Sequence, residues 1–447
     1  MTASQILAAR VPRYTSYPTA PHFSAAVDGE LYRAWLDDLP EEMPLSLYLH
    51  VPFCDTLCWF CGCHTTVVNN YRPVSSFLET LLLEMRLVAA QFGTRRKVSH
   101  IHWGGGSPTL LSPADIDRLN AETRRLFDVQ SGSEFAVEVD PRGFQPATAE
   151  ALAAAGLTRA SIGVQDCDPK VQAAINRVQT DTETRQAVEL LRQCGVDHIN
   201  LDLIYGLPYQ TCAGIQRNLA FAHSLRPGRL AVFGYAHVPS FKKHQSLIPE
   251  EALPGLEERL EQEALIHEKL LALDYRAVGL DHYARADDPL ARTAVDGGLR
   301  RNFQGYTTDD APALIGFGPS AISRLPQGYG QNTVSTHEWR SAIETGAFAT
   351  RSGIALTWED RVRGHVIEKL MCDMAVDLAA VSQTFALPRR WFAAELDKLK
   401  PLQDAQLISI TGNVITVTGP FRQAARLAAA AFDTRLDQGS KRHAMTA

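Results

Sequence analysis

Three cysteines in one short stretch are the residues of this sequence with the clearest chemistry. Cys54, Cys58 and Cys61 follow a C-x3-C-x2-C spacing. Three thiolates are one fewer than the four that close an iron–sulfur cluster. One iron then keeps an open position, as a catalytic zinc site keeps one for water or substrate. An open iron can bind and reduce a small molecule, so the spacing favours a chemically active cluster.

A structural zinc site or a disulfide is the alternative interpretation of the same cysteines. A zinc site usually pairs one C-x2-C with a second C-x2-C or with two histidines. No second pair is present, because Cys167, Cys194, Cys212 and Cys372 are scattered singly. Cys63 and His64 directly follow the motif, so a local site with four zinc ligands stays open on spacing alone.

Length and composition predict a large globular protein of a reducing compartment. The 447 residues predict about two or three domains. The N-terminus has no apolar signal segment, and no uninterrupted apolar stretch approaches about 18 residues. We therefore expect a cytoplasmic protein without membrane insertion. The net charge of −6 argues against nucleic-acid binding, because duplex affinity rests largely on neutralised phosphates.

Strands and helices alternate over the first half of the chain. Six apolar, β-rich runs are separated by helical stretches whose apolar residues recur near a period of 3.6. The predicted strands are Ser46–Phe53, His100–Gly106, Glu134–Pro141, Arg159–Asp166, His198–Leu207 and Arg229–Val238, with helices such as Ser75–Gln91 and Asp181–Cys194 between them. Six βα units in a row predict a parallel sheet, either flat or curled into a barrel.

Polar residues at the C-terminal ends of these strands favour the barrel. Cys54 follows the first strand, Asp202 lies inside the fifth, and the other four strands end in Gly104–Gly106, Glu138 and Asp140, Gln165 and Asp166, and Tyr235–His237. Active sites of α/β folds are built at this end of a parallel sheet. A single Asp at the end of a strand would be an ordinary helix N-cap. Polar residues at corresponding positions of six strands instead predict a partial (β/α)6 barrel of the TIM type.

The pattern changes beyond about residue 350. Glu359–Cys372 and Pro388–Leu399 are predicted helices, and Leu407–Thr418 is a predicted hairpin that turns at Gly412-Asn413. This order is typical of a mostly helical, winged-helix-like domain. The 12 basic and 10 acidic residues between positions 355 and 447 supply too little positive charge for DNA, so we interpret the domain as a cover over the barrel mouth. The predicted domains are an N-terminal flap over residues 1–45, the catalytic barrel with its extension over 46–350, and the cover over 351–447.

Further sequence blocks extend the cysteine motif along nearly the whole chain. They are Pro12-Arg13-Tyr14-Thr15-Ser16-Tyr17-Pro18-Thr19, Phe60-Cys61-Gly62-Cys63, His102-Trp103-Gly104-Gly105-Gly106-Ser107-Pro108-Thr109, Glu138-Val139-Asp140-Pro141-Arg142, Gly163-Val164-Gln165-Asp166, Asn200-Leu201-Asp202-Leu203-Ile204-Tyr205-Gly206-Leu207-Pro208, Tyr235-Ala236-His237 and Asn302-Phe303-Gln304-Gly305-Tyr306-Thr307-Thr308. The cysteine motif resembles the signature of the radical S-adenosylmethionine (SAM) superfamily. The full set resembles the oxygen-independent coproporphyrinogen III oxidases of heme biosynthesis.

Two relatives of that family remain as alternatives. Heme chaperones share the barrel, but they typically lack the N-terminal run and Cys63 and carry a His-Asn-x-x-Tyr-Trp block that is absent here. Anaerobic heme-degrading methyltransferases lack the Asn-Phe-Gln-Gly-Tyr block. Small departures from the family pattern are Ser107 in place of Thr and Gly234 in place of Asn. A zinc-stabilised regulator with a winged helix is the third class of function.

The resemblance implies a [4Fe–4S] cluster on Cys54, Cys58 and Cys61 together with two molecules of SAM. In the family, one SAM chelates the open iron and is cleaved reductively to methionine and a 5′-deoxyadenosyl radical. By resemblance the two SAM sites are lined by Tyr48, Phe60, Gly105, Gly106, Ser107, Glu138, Gln165, Arg177, Asp202, Ala236 and Ile322. Glycines without a Cβ let a ligand approach, an arginine can clamp a carboxylate, and Gln165 and Asp202 suit ribose hydroxyls.

The substrate that the resemblance implies is coproporphyrinogen III. The radical would take a hydrogen atom from the propionates of rings A and B, and loss of carbon dioxide and one electron would leave the vinyl groups of protoporphyrinogen IX. Desolvated propionates must be paired, and Arg13, Arg300 and Arg301 are the candidates. Tyr14 and Tyr17 are candidate hydrogen-bonding partners. Solvated surface positions are the alternative for each of these residues.

Cys63, Tyr14 and Arg13 form the predicted catalytic set. Cys63 lies two residues beyond a cluster ligand, and we expect it to act near the substrate radical, with a structural thiol as the alternative. The N-terminal segment would then be a flap over the site. The expected partners are coproporphyrinogen III and a reducing donor such as flavodoxin or ferredoxin, and the expected state is a monomer.

Overall fold

A computed structural model describes residues 3–419 and 421–436. Two residues of the predicted flap, 1 and 2, lie outside the described residues. So do residues 420 and 437–447 of the predicted cover domain. The strands are β1 Leu45–Val51, β2 Phe53–Cys54, β3 Thr66–Val67, β4 Lys97–Gly105, β5 Asp128–Val139, β6 Arg159–Gln165, β7 His198–Tyr205, β8 Arg229–Gly234, β9 Tyr275–Val278, β10 His282–Arg285, β11 Arg300–Asn302, β12 Gly305–Thr307, β13 Ala313–Phe317, β14 Ile322–Leu325, β15 Gly328–Asn332, β16 Thr350–Ala355, β17 Ala375–Asp377, β18 Ile408–Thr411 and β19 Val414–Val417.

The helices follow most of these strands in the βα order that the sequence predicts. They are α1 Ala3–Leu7, α2 Gly29–Asp37, α3 Arg72–Ala89, α4 Pro113–Leu126, α5 Pro146–Ala154, α6 Pro169–Ala174, α7 Asp181–Gln193, α8 Cys212–Ser224, α9 Leu256–Ala272, α10 Pro289–Val295, α11 Thr336–Glu344, α12 Trp358–Asp373, α13 Leu378–Thr384, α14 Ala393–Asp404 and α15 Ala424–Phe432. Within the described part of the chain, no helix combines the length and the apolar character needed to cross a membrane.

One twelve-stranded sheet forms the centre of the molecule. Its strand order is β16-β15-β14-β13-β1-β4-β5-β6-β7-β8-β10-β9. The seven neighbours from β13 to β8 run parallel, and the remaining strands at both edges run antiparallel. The predicted α/β class and all six predicted parallel strands are confirmed. Strand β13 is a seventh parallel strand that the sequence pattern did not reveal.

The sheet curls around a lumen. A single cavity is lined by Leu314 of β13, His282 of β10 and residues of the six strands between them. Neighbouring strands are about 4.8 Å apart, so in a flat sheet β13 and β10 would be separated by about 34 Å. Two strands that far apart cannot line one small cavity, and the sheet is therefore a partial barrel.

Local sequence explains why these elements begin where they do. Strand β1 is buried along its whole length, as a parallel strand covered on both faces requires. Helix α7 begins at a capping box in which Thr180 and Glu183 each accept the other's backbone N–H. Aromatic side chains such as Phe77 and Trp103 fill the fully buried layer between the sheet and its helices.

The N-terminal segment contributes to two separate apolar cores. Tyr32 and Trp35 of α2 pack into the barrel core. Leu7 and Val11 pack instead with α12, α14 and α15 in a second core. The first residues of the chain are thus joined to its C-terminal region. The predicted domain limits at residues 45 and 350 stay predictions.

The C-terminal region has the helix and strand order of a winged-helix module. Strands β17, β19 and β18 form a three-stranded sheet beside α12, α13 and α14. The predicted hairpin at Gly412-Asn413 is confirmed, and Gly412 has a φ of +63°. The helix predicted to begin at Pro388 begins instead at Ala393, because the chain turns before it and Arg390 has a φ of +66°.

Candidate active site

The three motif cysteines lie together beyond the C-terminal end of β1. Cys54 ends β2, and the following loop carries Cys58 and Cys61 before it returns to β3. Burial, together with the nearby thiols of Cys61 and Cys58, raises the pKa of the Cys54 thiol to about 11. The Cys54 thiol is therefore near enough to Cys58 and Cys61 to interact with both electrostatically, and a metal centre has to displace the Cys54 proton to bind there.

Each of the three sulfur atoms accepts a hydrogen bond from the surrounding protein. The donors are Thr65 Oγ1 to Cys54 (3.1 Å), the Cys63 N–H to Cys61 (3.4 Å), and Arg177 Nη1 to Cys58 (3.5 Å). Hydrogen bonds to sulfur and nearby positive charge are the protein's means of tuning an iron–sulfur centre. Among the described residues, no group of three or more His, Cys, Asp or Glu side chains surrounds the position of a single metal ion. The donor set of three hydrogen-bonded sulfurs fits a cluster.

Two neighbouring segments hold the cysteine loop in place. From one side, the Trp59 N–H donates to the Ile175 carbonyl (2.9 Å) and Asn176 Nδ2 donates to the Leu57 carbonyl (2.9 Å). From the other side, three side chains donate to loop carbonyls: Lys242 to Cys63 (3.1 Å), His244 to Cys61 (2.8 Å) and Gln245 to Phe60 (3.1 Å). Sequence analysis missed this second segment, because its residues form no recognisable motif.

The glycines at the end of β4 permit close packing of protein groups. A Cβ on Gly104 would lie 2.7 Å from Glu138 Oε1, and one on Gly105 would lie 2.6 Å from the His50 ring. A Cβ on Gly106 would overlap the Phe53 carbonyl oxygen. The side of these glycines where a Cβ would point is thus filled by protein rather than left open for a ligand. Contact of Gly105, Gly106 and the buried Ser107 with SAM stays a prediction.

A row of polar side chains crosses the barrel below the cysteine loop. The Tyr48 ring stacks on His102 at 5.8 Å, and His102 Nε2 lies 3.3 Å from Glu138 Oε1. Glu138 is directly opposite Ser161 in the sheet, and Ser161 Oγ donates to Asp202 Oδ2 (2.9 Å). Tyr48, Glu138 and Asp202, three of the predicted cofactor residues, are therefore joined across five adjacent strands. His102 and Ser161 complete the row, and sequence analysis gave them no role.

The two carboxylates of this row differ in their electrostatic environment. Burial opposes ionisation of Glu138, but hydrogen bonds from His102 and the Gly105 N–H outweigh it and lower the Glu138 pKa. Burial raises the pKa of Asp202 to about 6, and the Glu138 charge contributes to that rise. Glu138 is therefore negatively charged at neutral pH, whereas the pKa of Asp202 lies only about one unit below neutral pH.

Arg177 and Gln165 lie at the end of β6. Gln165 has a φ of +65° at a register shift between β6 and β7, which redirects its side chain. Arg177 is buried and donates to the Gly163 carbonyl (2.7 Å) and to Asp140 (3.3 Å) in addition to Cys58. Its guanidinium is thus attached to the cluster loop, and a further contact with a SAM carboxylate stays a prediction.

The remaining predicted cofactor residues lie around the same opening. The Ala236 carbonyl accepts from Gln245 (3.2 Å), the side chain that also binds Phe60. Phe60 packs against a small apolar cluster that includes Tyr235. On the other side, Ile322 lies next to Gly316, the residue paired with Tyr48 in the sheet.

One cavity of about 440 Å³ is lined by four of the five residues predicted to meet the substrate: Tyr14, Tyr17, Arg300 and Arg301. Arg301 also lines the smaller space beside Arg13, the fifth residue. Arg13 Nη2 donates to the Gly234 carbonyl at the end of β8 (2.6 Å), and the buried side chain of Arg301 lies nearby beside Asp281. The hydroxyl groups of Tyr14 and Tyr17 have partners at the C-terminal end of the described chain: Asp433 (3.0 Å) and Thr434 (3.3 Å). Arg300 instead pairs with Glu368 (3.7 Å).

Cys63 lies in the same loop, two residues after the proposed ligand Cys61. The residue is exposed, its thiol interacts with the Cys61 thiol, its N–H donates to the Cys61 sulfur, and its carbonyl accepts from Lys242. Its predicted role toward a substrate radical stays a prediction.

Comparison with known proteins agrees with this site. Residues 48–222 match the model of the radical SAM superfamily. The chain is 45% identical over 434 residues to the oxygen-independent coproporphyrinogen III oxidase of Bradyrhizobium diazoefficiens, covering 97% of this chain and 96% of that protein. It is 39% identical to the Salmonella typhimurium protein of the same name, covering 96% and 94%. Coproporphyrinogen III oxidase (HemN) from Escherichia coli, described as a radical SAM enzyme, superposes with a TM-score of 0.90 at 36% identity, covering 96% of this chain and 100% of that one.

Proposed function

Because the chain belongs to the oxygen-independent coproporphyrinogen III oxidases, a family of radical SAM enzymes, we propose that it decarboxylates coproporphyrinogen III to protoporphyrinogen IX. At each of the ring A and ring B propionates, a hydrogen atom leaves the β-carbon, carbon dioxide departs, and one electron passes to a one-electron acceptor. The vinyl group remains. A [4Fe–4S] cluster with SAM supplies the hydrogen-abstracting 5′-deoxyadenosyl radical when both are bound.

Cys54, Cys58 and Cys61 are the proposed cluster ligands. Their mutual proximity and the hydrogen bond at each sulfur support this assignment. With Cys63 not counted as a ligand, these three thiols would hold a cluster that keeps one iron available for SAM. The loop contacts from Lys242, His244 and Gln245 hold the ligands in place during binding.

The proposed sites for two SAM molecules occupy the strand ends above the polar row. Glu138 can accept from a SAM amino group, because its pKa is low and it is ionised at neutral pH. Asp202 and Gln165 can accept from and donate to ribose hydroxyls. The convergence of Tyr48, Glu138 and Asp202 across adjacent strands supports this placement, since residues distant in sequence meet at one opening.

The proposed substrate side of the site faces the N-terminal segment. Arg13 brings this segment to the end of β8, and Tyr14 is held by Asp433. We propose that the segment covers the tetrapyrrole and that Cys63, an exposed residue within the cysteine loop, acts near the substrate radical. A monomer in the cytoplasm with a flavodoxin or ferredoxin as electron donor completes the proposal.

The observation that carries the proposal is the group of three thiols at the C-terminal end of a parallel barrel in a chain this similar to its relatives. The test is anaerobic reconstitution with iron and sulfide, followed by incubation with SAM, a reductant, an electron acceptor and coproporphyrinogen III. Formation of 5′-deoxyadenosine and of a product with two vinyl groups is expected. Stable heme binding without either product would contradict the proposal and indicate a chaperone.

A further inference from the structure

Four arginines surround a small enclosed space just beyond the end of β8. The space measures about 20 Å³, the scale of one small polar group rather than of a whole ligand. The arginines come from four distant parts of the chain: Arg13, Arg259, Arg301 and Arg426. Arg426 donates to the carbonyls of Val11 and Pro12 and thereby holds the N-terminal segment. The other three guanidiniums belong to the flap, to α9 and to β11.

Positive charge is in excess in this space. Asp281 is the only carboxylate among its described lining residues, and it also binds His282 Nδ1 (2.7 Å). The carboxyl of Glu263 also interacts with Arg259, but burial raises the Glu263 pKa to about 7, so it supplies only part of a negative charge at neutral pH. Burial lowers the pKa of Arg13, and repulsion from Arg301 and Arg259 lowers it further. Among the described lining residues, the side chains of Arg13, Arg259 and Arg301 therefore bring more positive charge than Asp281 brings negative charge.

Several donors in the cluster are buried without an acceptor. The Arg301 side chain is only 6% exposed, yet its Nε and Nη1 have no hydrogen-bond partner, and Asp281 is 3.9 Å away. Arg259 is 8% exposed, donates one hydrogen bond to the Tyr235 carbonyl (2.9 Å), and leaves its Nε unpaired. Leaving charged donors unsatisfied in a buried place is costly. A carboxylate is the ligand whose two oxygens match guanidinium forks.

The cluster lies at the same end of the barrel as the candidate active site. Arg13 donates to the Gly234 carbonyl and Arg259 to the Tyr235 carbonyl, and the next residue is Ala236 of the proposed cofactor set. Arg13 keeps accessible surface although protein surrounds it closely enough to lower its pKa. Its guanidinium therefore lines this space and keeps exposed surface as well.

We propose that Arg13, Arg259 and Arg301 bind one propionate of the tetrapyrrole, and that this propionate is one of the two that the product retains. The inference rests on the proposed function. A propionate that leaves as carbon dioxide loses its charge in the reaction, so a strong ion pair would stabilise the starting state and slow that step. The same ion pair on a retained propionate costs nothing in the reaction and fixes the ring orientation.

The test measures the affinity of two stable oxidised porphyrins by fluorescence titration of the reconstituted protein. Coproporphyrin III carries four propionates, and protoporphyrin IX carries the two retained ones. The variants are Arg259→Gln and Arg301→Gln, with Arg285→Gln on β10 as a matched control because that side chain is 51% exposed. We expect the Kd of both porphyrins to rise about 10- to 100-fold in the two cluster variants, with no change in the control.

Three results would overturn the inference. The first is an unchanged Kd for coproporphyrin III, and the second is a rise in Kd for coproporphyrin III alone. The third is an equal loss of 5′-deoxyadenosine formation in the absence of substrate, which would assign the four arginines to SAM binding. If a Gln variant fails to fold, Arg259→Lys and Arg301→Lys keep the charge but lose the fork. A several-fold rise in both Kd values is then expected, and no rise would overturn the inference. Turnover of the wild-type protein is measured first, so a failure of the proposed function is distinguished from a failure of this inference.

Discussion

Arg177 lies with its Nη1 3.5 Å from the sulfur of Cys58 and 3.3 Å from the Asp140 carboxylate. A buried positive charge next to a thiolate ligand favours the more reduced, more negative form of an iron–sulfur cluster. The Cys58 sulfur is within 3.7 Å of a second guanidinium, that of Arg142, which is also paired with Asp140. The environment of this ligand is thus set by residues 84 and 119 positions away along the chain.

Replacing Arg177 should make the cluster harder to reduce. For Arg177→Met we expect a midpoint potential more negative by on the order of 60 mV, one tenfold step in a one-electron equilibrium. The measurement is an anaerobic redox titration followed by electron paramagnetic resonance. Arg217→Met is the control, because that side chain is 63% exposed and pairs with Asp168. An unchanged potential in Arg177→Met would remove the electrostatic role.

The cysteine series tests the ligand assignment. Cys54→Ser, Cys58→Ser and Cys61→Ser should each lose the cluster, since thiolate ligation holds it. Cys63→Ser should keep its iron, because Cys63 is bound to the loop through backbone groups. Iron and sulfide content after anaerobic reconstitution measures both outcomes. Loss of iron from Cys63→Ser would mean that the ligands are misassigned.

The contacts from His244 and Gln245 should control how firmly the cysteine loop holds its cluster. Gln245 is 1% exposed and bridges the carbonyls of Phe60 and Ala236. Removing a buried hydrogen-bonding group costs about 1–3 kcal/mol, so Gln245→Ala should lose iron to a chelator at least several-fold faster than the wild type. His244→Ala should show a smaller effect. Lys243→Ala is the matched control, because Lys243 is exposed on the same segment; equal rates in all three variants would contradict the prediction.

The raised pKa of Asp202 predicts a pH-dependent gain in stability for Asp202→Asn. The carboxyl titrates near pH 6 in the folded protein and near 3.8 otherwise. Between those values the folded state binds more protons than the unfolded state, so wild-type stability falls as the pH rises from about 4 to 6. Above pH 6 the penalty is complete, at most about 3 kcal/mol for a shift of about two units.

We therefore expect Asp202→Asn to be more stable than the wild type at pH 7.5 but not at pH 4.5, as measured by urea unfolding of the metal-free protein. Asp197→Asn, in the exposed turn before β7, is the control. The same Asp202 variant should lose turnover if its carboxylate binds a SAM ribose. A stability gain of equal size at both pH values would contradict the electrostatic explanation.

Deletion of residues 1–20 should abolish turnover while sparing the cluster. The deletion removes Arg13 and the apolar residues Leu7 and Val11 that pack against the C-terminal helices. None of the contacts at the cysteine sulfurs involves this segment. Iron content and product formation are measured on the same sample. Retained decarboxylation would show that the segment is not a cover over the site.

Much of the barrel and of the cluster loop was predictable, because the information is local. Strands such as β8 contain a short apolar run bounded by turn residues, and the three cysteines are only seven positions apart from first to last. Strand β13 was not predictable in the same way. Its five residues are short, and they become a parallel strand only through pairing with β1, more than 250 residues earlier.

The sequence by itself determined the fold class, the cysteine motif and the family, since each depends on residue types at fixed spacing. Only the tertiary structure decided which side chains share a space. From the three glycines Gly104–Gly106 we expected open space for a ligand. In the folded chain, Glu138, His50 and Phe53 fill the positions toward which a Cβ atom would point. Arg13, Arg259 and Arg301 form a site only because the flap, α9 and β11 meet at the end of β8. No local pattern encodes that meeting, because it results from packing of two apolar cores against each other.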